Sequence, residues 1–374
     1  MKNKKIIIIL IAVALFVLIQ YQYNKIKGKP LQIGFVSALS GPSADLGFSC
    51  RNALELYIDE VNSAGGINGR PIEIIVLDDQ GNPEIALSLF KQLIEENINL
   101  IVGQVTSSSG VLSIPYINEQ DALFISPLIS SNDYRGVDDN FIALAPSASA
   151  QGVAIVNYIY SQKESGKIAI IYDYSNLIYS SAVFKGAIEE LNKNSQFKFQ
   201  LYPLNDSLEI PTIVDSISTF NPDDFIVITS VSDLILISNQ IDKELGDLPV
   251  YSSMWGMAPE IISGYGENMA NVYGVYAIDP NSTSPEFLKF KEAYSQKYKI
   301  EANFGAIYTY DAARLLIEAI KMTHSTNPDK IKTYIKTTQF FEGINIPYEI
   351  TDTGDAIREM SIIYAKDGKT MDLK

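Results

Sequence analysis

The chain has 374 residues, enough for two domains of ordinary size, with a globular composition of 47% hydrophobic and 20% charged residues. Its formal charge is −15; residues 1–30 hold six lysines and no acid, so the remainder carries 23 basic against 44 acidic residues, and a surface that acidic repels nucleic acid and anionic lipid. With one cysteine (Cys50) and one histidine (His324), an intrachain disulfide and a Cys/His metal cluster are both excluded.

The N-terminus reads as a targeting segment. Lys2, Lys4 and Lys5 precede an unbroken apolar run of fourteen residues, 6–19, the length of a signal-peptide core and short for a full membrane span. No small-x-small cleavage site follows, and no cysteine stands where a lipid would be attached. Tyr21 and Tyr23 instead sit where an interfacial aromatic belt would, followed by Lys25, Lys27 and Lys29. Export with the segment kept as a membrane anchor is preferred to cleavage, and residues 1–30 form a signal peptide or an uncleaved anchor.

From Leu31 the sequence alternates β-rich runs with helical patterns. A strand at 31–36 is followed by Leu46, Cys50, Ala53, Leu54, Tyr57 and Val61 at helical spacing, one buried stripe on a surface helix. Ala64-Gly65-Gly66-Ile67-Asn68-Gly69 ends it with residues that tolerate positive φ. Strands at 72–77, 100–102 and 123–125 alternate with further helices. Strands joined through helices run parallel, so this half is a doubly wound α/β lobe. After residues 145–150 the pattern restarts, with strands at 168–172, 197–202, 225–229 and 250–252 in a second α/β lobe. Past residues 279–285 two more helices, with a stripe at Ala312, Leu315, Leu316 and Ala319, return the chain to the first lobe. Residues 347–350 and 360–364 look like strands near the hinge. The expected division is 31–147 plus 281–345 for lobe one and 148–280 plus 346–374 for lobe two, with three passes between them that limit motion to opening and closing.

In open parallel sheets, ligands bind beyond the carboxyl ends of the strands, where helix N-termini present free N–H groups. In lobe one the loops at these ends are 104–110, with Thr106, Ser107, Ser108 and Ser109, and 126–132, with Leu128 and Ser130. The hydroxyls suit a carboxylate or other polar head group, or merely cap the following helix. In lobe two the loops are 173–179, 230–233 and 253–256. Trp255 follows a strand end between Ser253 and Gly256 and is read as a cleft residue or as core; Asp233 is a site residue or a helix cap.

Other features resolve into ordinary structure. Asp78-Asp79 resembles a metal or paired-carboxylate site, but before Gln80-Gly81-Asn82-Pro83 it reads as a turn that caps the next helix. His324, in His324-Ser325-Thr326-Asn327-Pro328, is a solvated residue of a helix-ending loop. Gly41 and Gly47 lack dinucleotide-fingerprint spacing and no phosphate-loop lysine is present, so no cofactor is expected. A carboxylate-based enzyme is left open by composition alone.

Three segments carry a family resemblance: Ile33-Gly34-x-Val36-x-x-Leu39-Ser40-Gly41-Pro42, Asp59-Glu60-Val61-Asn62-x-Ala64-Gly65-Gly66-Ile67-Asn68-Gly69-Arg70-Pro71, and Asp78-Asp79-x-x-Asn82-Pro83. With Val102-Gly103, Thr106-Ser107-Ser108 and Ile125-Ser126-Pro127, they resemble the leucine/isoleucine/valine-binding-protein family, substrate-binding components of branched-chain amino acid-type ABC importers. The resemblance runs from Leu31 to the C-terminus. It implies the type I periplasmic binding protein fold, two doubly wound α/β lobes joined by a three-strand hinge and here preceded by an N-terminal apolar helix. It also implies that Ser107, the Leu128 backbone and Ser130 hold the carboxylate and amino group of an amino acid-like ligand. Departures from the pattern are Trp255 where amino-acid binders place an acid for the ammonium, Leu46 where an aromatic is expected, and Asn176 with Tyr179 in place of a Tyr-Gly pair. Either Asp233 or Asp173 then supplies the charge, or the ligand has no ammonium; Trp255 with Tyr179 suits an aromatic or other apolar carboxylate.

The resulting expectation is a monomeric extracytoplasmic or periplasmic solute-binding protein. It closes on a small amino acid-like or carboxylate ligand, delivers it to the permease subunits of an ABC importer, touches the membrane through its N-terminal segment, and catalyses nothing. The alternative is the same fold as a ligand-sensing subunit for a receptor or kinase. An α/β hydrolase or dehydrogenase is the third reading, and it lacks both a nucleophile–base pair and a cofactor loop.

Overall fold

A computed structural model of the protein describes residues 28–41, 43–205, 210–257, 271–366 and 369–373. The N-terminal apolar segment expected as signal or anchor lies outside the described residues. Among the described residues no helix is long and apolar enough to cross a membrane.

The first lobe is built on a parallel sheet of five strands in the order β2-β1-β3-β4-β5: β1 (Leu31–Ser37), β2 (Ile72–Asp78), β3 (Leu100–Gly103), β4 (Leu123–Ser126) and β5 (Phe141–Ala143). The short strands β3, β4 and β5 are buried throughout, as expected of strands covered on both faces. β5 extends the four-strand reading by one edge strand. The crossovers are α1 (Ala44–Ser63), α2 (Pro83–Glu95) and α3 (Gly110–Asn118).

α1 buries more than the single stripe its spacing suggests, including Ser49, Asn52, Leu56 and Ile58. The cause is a second layer. Of three helices that return from the second lobe, α8 (Pro285–Tyr298), α9 (Phe304–Thr323) and α10 (Pro328–Thr338), the first two cover α1. Tyr294 and Tyr298 donate their hydroxyls to the α1 carbonyls of Ser49 (3.3 Å) and Asn52 (2.8 Å). Polar positions on a helix face thus mark contacts with tyrosine hydroxyls, which a purely apolar pattern passes over.

The second lobe continues with α4 (Ala148–Gln162), β6 (Gly166–Asp173), α5 (Leu177–Leu191), β7 (Phe197–Leu204), α6 (Ile210–Ser218), β8 (Asp224–Ile228), α7 (Val231–Leu245), β9 (Val250–Ser252) and β10 (Val272–Tyr276). Its sheet runs β7-β6-β8-β9-β10 in parallel, then adds β14 (Ser361–Lys366) and β15 (Lys369–Asp372) antiparallel at the β10 edge.

One boundary differs from expectation. Residues 346–357, assigned from sequence to lobe two, sit on lobe one. β11 (Phe340–Phe341), β12 (Tyr348–Ile350) and β13 (Ala356–Ile357) form a small antiparallel sheet, and the loop between the last two pairs with β5. Ala143 N donates to Gly354 O (3.0 Å), and the Asp355 carboxylate takes Gly136 N (2.8 Å) and the Arg135 guanidinium (3.5 Å). The chain changes lobes only at Arg358–Met360.

Three connections therefore join the lobes, at 144–147, 277–284 and 358–360, and one buried cluster ties them together. Arg358 Nε donates to Leu144 O (3.0 Å) in the first connection, and its guanidinium pairs with Asp311 of α9 (2.9 Å). Tyr308 and Tyr348 rings stack on it at 4.4 and 4.2 Å, and the Tyr308 hydroxyl donates to Ala277 O (3.0 Å) in the second connection.

Candidate functional site

The two sheets present their carboxyl ends to one another, and a pocket lies between them. Lobe one contributes Leu46 from the first turn of α1, Val105 and Ser107 after β3, Leu128 and Ser130 after β4, and Ala145 at the first connection. Lobe two contributes Gln151 from the first turn of α4, Asn176 and Tyr179 at the start of α5, and Met254 and Trp255 after β9. Phe304 and Tyr308, in the first two turns of α9, form the back wall.

The hydroxyl wall of lobe one is shaped by its turns. Gly103, at φ +143°, is followed by Gln104 at φ 51°, whose N–H reaches Val36 O (2.7 Å). A side chain at Gly103 would collide with the Val36 backbone, so glycine is required for the chain to turn into the pocket here. In the loop that follows, Thr106 and Ser109 bond each other (2.7 Å) and Ser109 N donates to Thr106 Oγ1 (3.3 Å), which closes a local turn, while Ser109, the cap residue of α3, makes no side-chain cap bond. Ser107 and Ser108 are left for the cleft. Ser107 Oγ accepts from Ser130 N and Ser131 N, both at 3.3 Å, which pins the β3 and β4 loops together. Ser126 Oγ likewise holds Leu128 N (3.3 Å) and Ile129 N (3.0 Å). Ser130 Oγ makes no hydrogen bond to the other described residues.

The wall of lobe two is aromatic and amide. Gln151 Oε1 accepts from the Tyr179 hydroxyl (2.8 Å) and from Met254 N (3.0 Å), fixing α4, α5 and the β9 loop to each other. Tyr179 meets Trp255 edge to face, centroids 5.8 Å apart. Burial pushes the Tyr179 hydroxyl up to about 12, so it stays protonated as a donor. Across the mouth, Asn176 Oδ1 of lobe two accepts from both Ser108 N (3.3 Å) and Ser108 Oγ (3.1 Å) of lobe one, a direct bond between lobes.

The structure brings Ser107, Leu128, Ser130, Tyr179 and Trp255 to this one pocket. It does not bring Asp233, whose assignment to the site is corrected. Asp233 lies in the first turn of α7, where its N–H donates to Ser230 Oγ (3.4 Å) and its carboxylate accepts from Ser230 Oγ (3.1 Å) and Thr229 Oγ1 (3.5 Å). That is a capping arrangement, and the helix end takes up the charge. Asp173 is also turned away, accepting from Ser175 N (2.6 Å) and Thr229 Oγ1 (3.4 Å). No carboxylate therefore lines the pocket among the described residues.

Asp78 is wholly a turn residue, accepting from Leu39 N, Ser40 Oγ and Gln80 N, while Asn82 rather than either aspartate caps α2. Among the described residues no His/Cys/Asp/Glu group is arranged to hold a metal ion. His324 is exposed, closing α9 at φ 49°.

Sequence reasoning missed Gln151, Phe304 and Tyr308. Signals for them exist. Gln151 interrupts the stripe Ala148, Gly152, Ile155 that buries α4, and a glutamine on such a face needs partners. Phe304 and Tyr308, four apart directly after the Asn303 cap, put two aromatics on one face at a helix entrance.

Comparison with known proteins matches the chain over residues 30–370 to the family described as periplasmic binding protein. The Leu/Ile/Val-binding protein homolog 3 of Brucella melitensis biotype 1 is 27% identical over 173 residues, 44% of this chain and 47% of that protein, so the match spans about half of that relative. Two solved structures share the fold over 92% of this chain. The branched-chain amino acid substrate-binding protein LivJ of Streptococcus pneumoniae, in complex with isoleucine, has TM-score 0.80, 21% identity and 99% of its own length covered. A solute-binding protein of an ABC transporter from R. palustris, in complex with benzoate, has TM-score 0.79, 19% identity and 95% covered.

Proposed function

Because the chain belongs to the periplasmic binding protein family, we propose that it is a solute-binding protein that captures a small amino acid-like or carboxylate ligand by lobe closure, delivers it to the permease subunits of an ABC importer, and catalyses no reaction. Family membership implies a periplasmic or extracytoplasmic location. The observation that carries the reading is the position of the pocket: it lies at the carboxyl ends of both sheets, and its walls come from two lobes linked by three chain connections. A solute there touches both lobes only when they are closed, and that difference in contacts is all the energy closure needs. Binding in a two-lobed cleft requires no proton transfer, and no nucleophile–base pair faces the pocket among the described residues.

The test is native mass spectrometry of the protein as purified, since a closed pocket retains its occupant. A released small molecule is expected. Ser107→Ala combined with Ser130→Ala should weaken binding of that molecule at least tenfold, because a hydrogen bond to a charged group is worth roughly 1.5–3 kcal/mol; unchanged affinity by calorimetry removes both hydroxyls from the site. The same intact mass, measured on protein recovered from membranes, is expected to include residues 1–30 if the segment is retained as an anchor.

A further inference from the structure

The polar groups that line the pocket divide unevenly between donors and acceptors. Gln151 Oε1 already accepts two hydrogens and so does Asn176 Oδ1, from Tyr179 OH with Met254 N and from Ser108 N with Ser108 Oγ. One donor in each pair is a backbone N–H, so the oxygen and nitrogen of both amides are fixed by the main chain and cannot be interchanged. What the two side chains have left is their NH₂ groups. Ser107 Oγ accepts twice from the β4 loop, which leaves its proton to point outward. Ser130 Oγ, on a residue only 2% exposed, lines the pocket without a partner.

The electrostatics have the same sign. None of the described lining residues is charged. Three helices start at the pocket: α3 just beyond Ser107, α4 at Gln151, and α5 at its cap Asn176. Their dipoles favour negative charge nearby, although the first N–H groups of α3 and α4 are already bonded, Gly110 N and Val111 N to Ser107 O and Ser108 O, and Ala148 N, Ser149 N and Ala150 N to Ser130 O, Asn132 Oδ1 and Ser147 Oγ. A cation placed there would face hydrogens on several sides with no carboxylate to balance it, at a cost that a buried charge recovers only from a partner. Beyond the polar groups the walls are apolar, with Trp255, Phe304, Tyr308 and Leu46 around the space a ligand body would fill.

We propose that this pocket takes a monocarboxylate with an apolar aryl or branched-alkyl body and no ammonium group. The proposal rests on the solute-binding reading and narrows its ligand: the carboxylate meets the Ser107 and Ser130 hydroxyls, and the body lies against Trp255 and Phe304.

Trp255 is the single tryptophan of the chain, so fluorescence reads the pocket directly. The full-length protein, freed of co-purified solute by reversible unfolding, is titrated with 4-methylpentanoate, L-leucine, 3-methylbutylamine and benzoate. The first two share a carbon skeleton and differ by one ammonium group; the amine lacks the carboxylate. At least one of the two ammonium-free acids is expected to bind ten or more times tighter than L-leucine, with no response to the amine, and Ser107→Ala with Ser130→Ala should weaken binding of that acid at least tenfold. L-leucine binding as tightly as either acid overturns the proposal and leaves the solute-binding function standing. If none of the four binds, native mass spectrometry decides. A released acid without an amine supports the proposal, an amine-bearing solute overturns it alone, and no released solute overturns both readings together.

Discussion

The hinge and the cleft lie back to back and treat charge in opposite ways. Behind the pocket, Arg358 and Asp311 form an ion pair with side chains 0% and 1% exposed, tying the connections at 144–147 and 358–360 to α9. Burial alone would lower the Arg358 pKa, but the Asp311 carboxylate and the flanking tyrosines outweigh it and hold it above its ordinary value, so the guanidinium stays charged. In front, the pocket is lined by neutral groups among the described residues. Tyr308 belongs to both regions, one of the pocket walls and a ring on Arg358. The contrast teaches where this molecule tolerates a buried charge: where an opposite charge is built in permanently. Among the described residues a ligand with a positive charge would find no such partner, which is the basis of the proposed ammonium-free acid.

The largest effect that could break this comparison is at the hinge. Asp311→Ala leaves Arg358 buried without a counter-charge and removes the acceptor of Ile344 N (2.8 Å), so a loss of about 3–5 kcal/mol is expected in urea unfolding. Asp311→Leu with Arg358→Met should be less damaging than either single change, because no lone charge remains. A single variant that loses under about 1 kcal/mol would show that water or rearrangement compensates the arginine and that the hinge is not the closed interior described.

A second carboxyl sharpens the rule because it lacks a cation. Asp79, at the end of β2, is fully buried with Oδ2 unpartnered, and the Gln104 amide beside it has its Oε1 unpartnered as well. Gln104 Nε2 is committed to Ser109 O (3.1 Å), and no cation stands among the groups that act on Asp79 to offset the cost of ionising it. Burial accordingly raises this carboxyl from 3.8 to about 6. Between about pH 4 and 6 the folded protein then holds a proton that the unfolded chain has released. Its contribution to stability is therefore complete below about pH 4, falls as the pH rises to 6, and is constant above. Asp79→Asn keeps the oxygen that accepts from Gly81 N and does not titrate. Relative to the parent, the variant should gain about 3 kcal/mol between pH 4 and pH 7, at about 1.36 kcal/mol per pH unit. Urea midpoints that change in parallel for both proteins would mean that Asp79 stays ionised inside without a cation.

Much of this organisation was legible in the sequence, and the limits are physical. The two α/β lobes followed from alternating β-rich and helical runs, and the strand-end argument led to the loops 104–110 and 126–132 and to Trp255 because helix starts and strand ends must meet on one side of a parallel sheet; Ser107, Leu128 and Ser130 within those loops came from the family resemblance. The boundary at 346 failed because a three-residue strand such as β12 carries no signal of which sheet it joins; the Ala143–Gly354 pairing that decides it spans over two hundred positions. Asp233 failed for a different reason. Ser-x-x-Asp at a strand end reads equally as a site and as a helix cap, and only the pocket's position separates them. Arg358 and Asp311 are forty-seven positions apart and neither is unusual in its local sequence, so the hinge cluster left no local trace.

The smallest expected effect concerns the mouth of the cleft, where Asn176 Oδ1 takes two hydrogens from Ser108 of the other lobe. This bond differs from the hinge in kind. It forms only when the lobes are closed, so it bears on the equilibrium between open and closed forms and hardly at all on folding. Asn176→Ala removes it, and with it the amide NH₂ proposed as a pocket donor. The expected loss is about 1 kcal/mol of closure, read as a roughly fivefold weaker affinity for the retained ligand, with the urea midpoint of ligand-free protein unchanged. Ser108→Ala with its backbone N–H intact should lose less than Asn176→Ala, because one of the two donors survives. If Asn176→Ala lowers stability as Asp311→Ala does, the mouth is part of the permanent architecture, and closure over a ligand must be sought elsewhere along the two lobes.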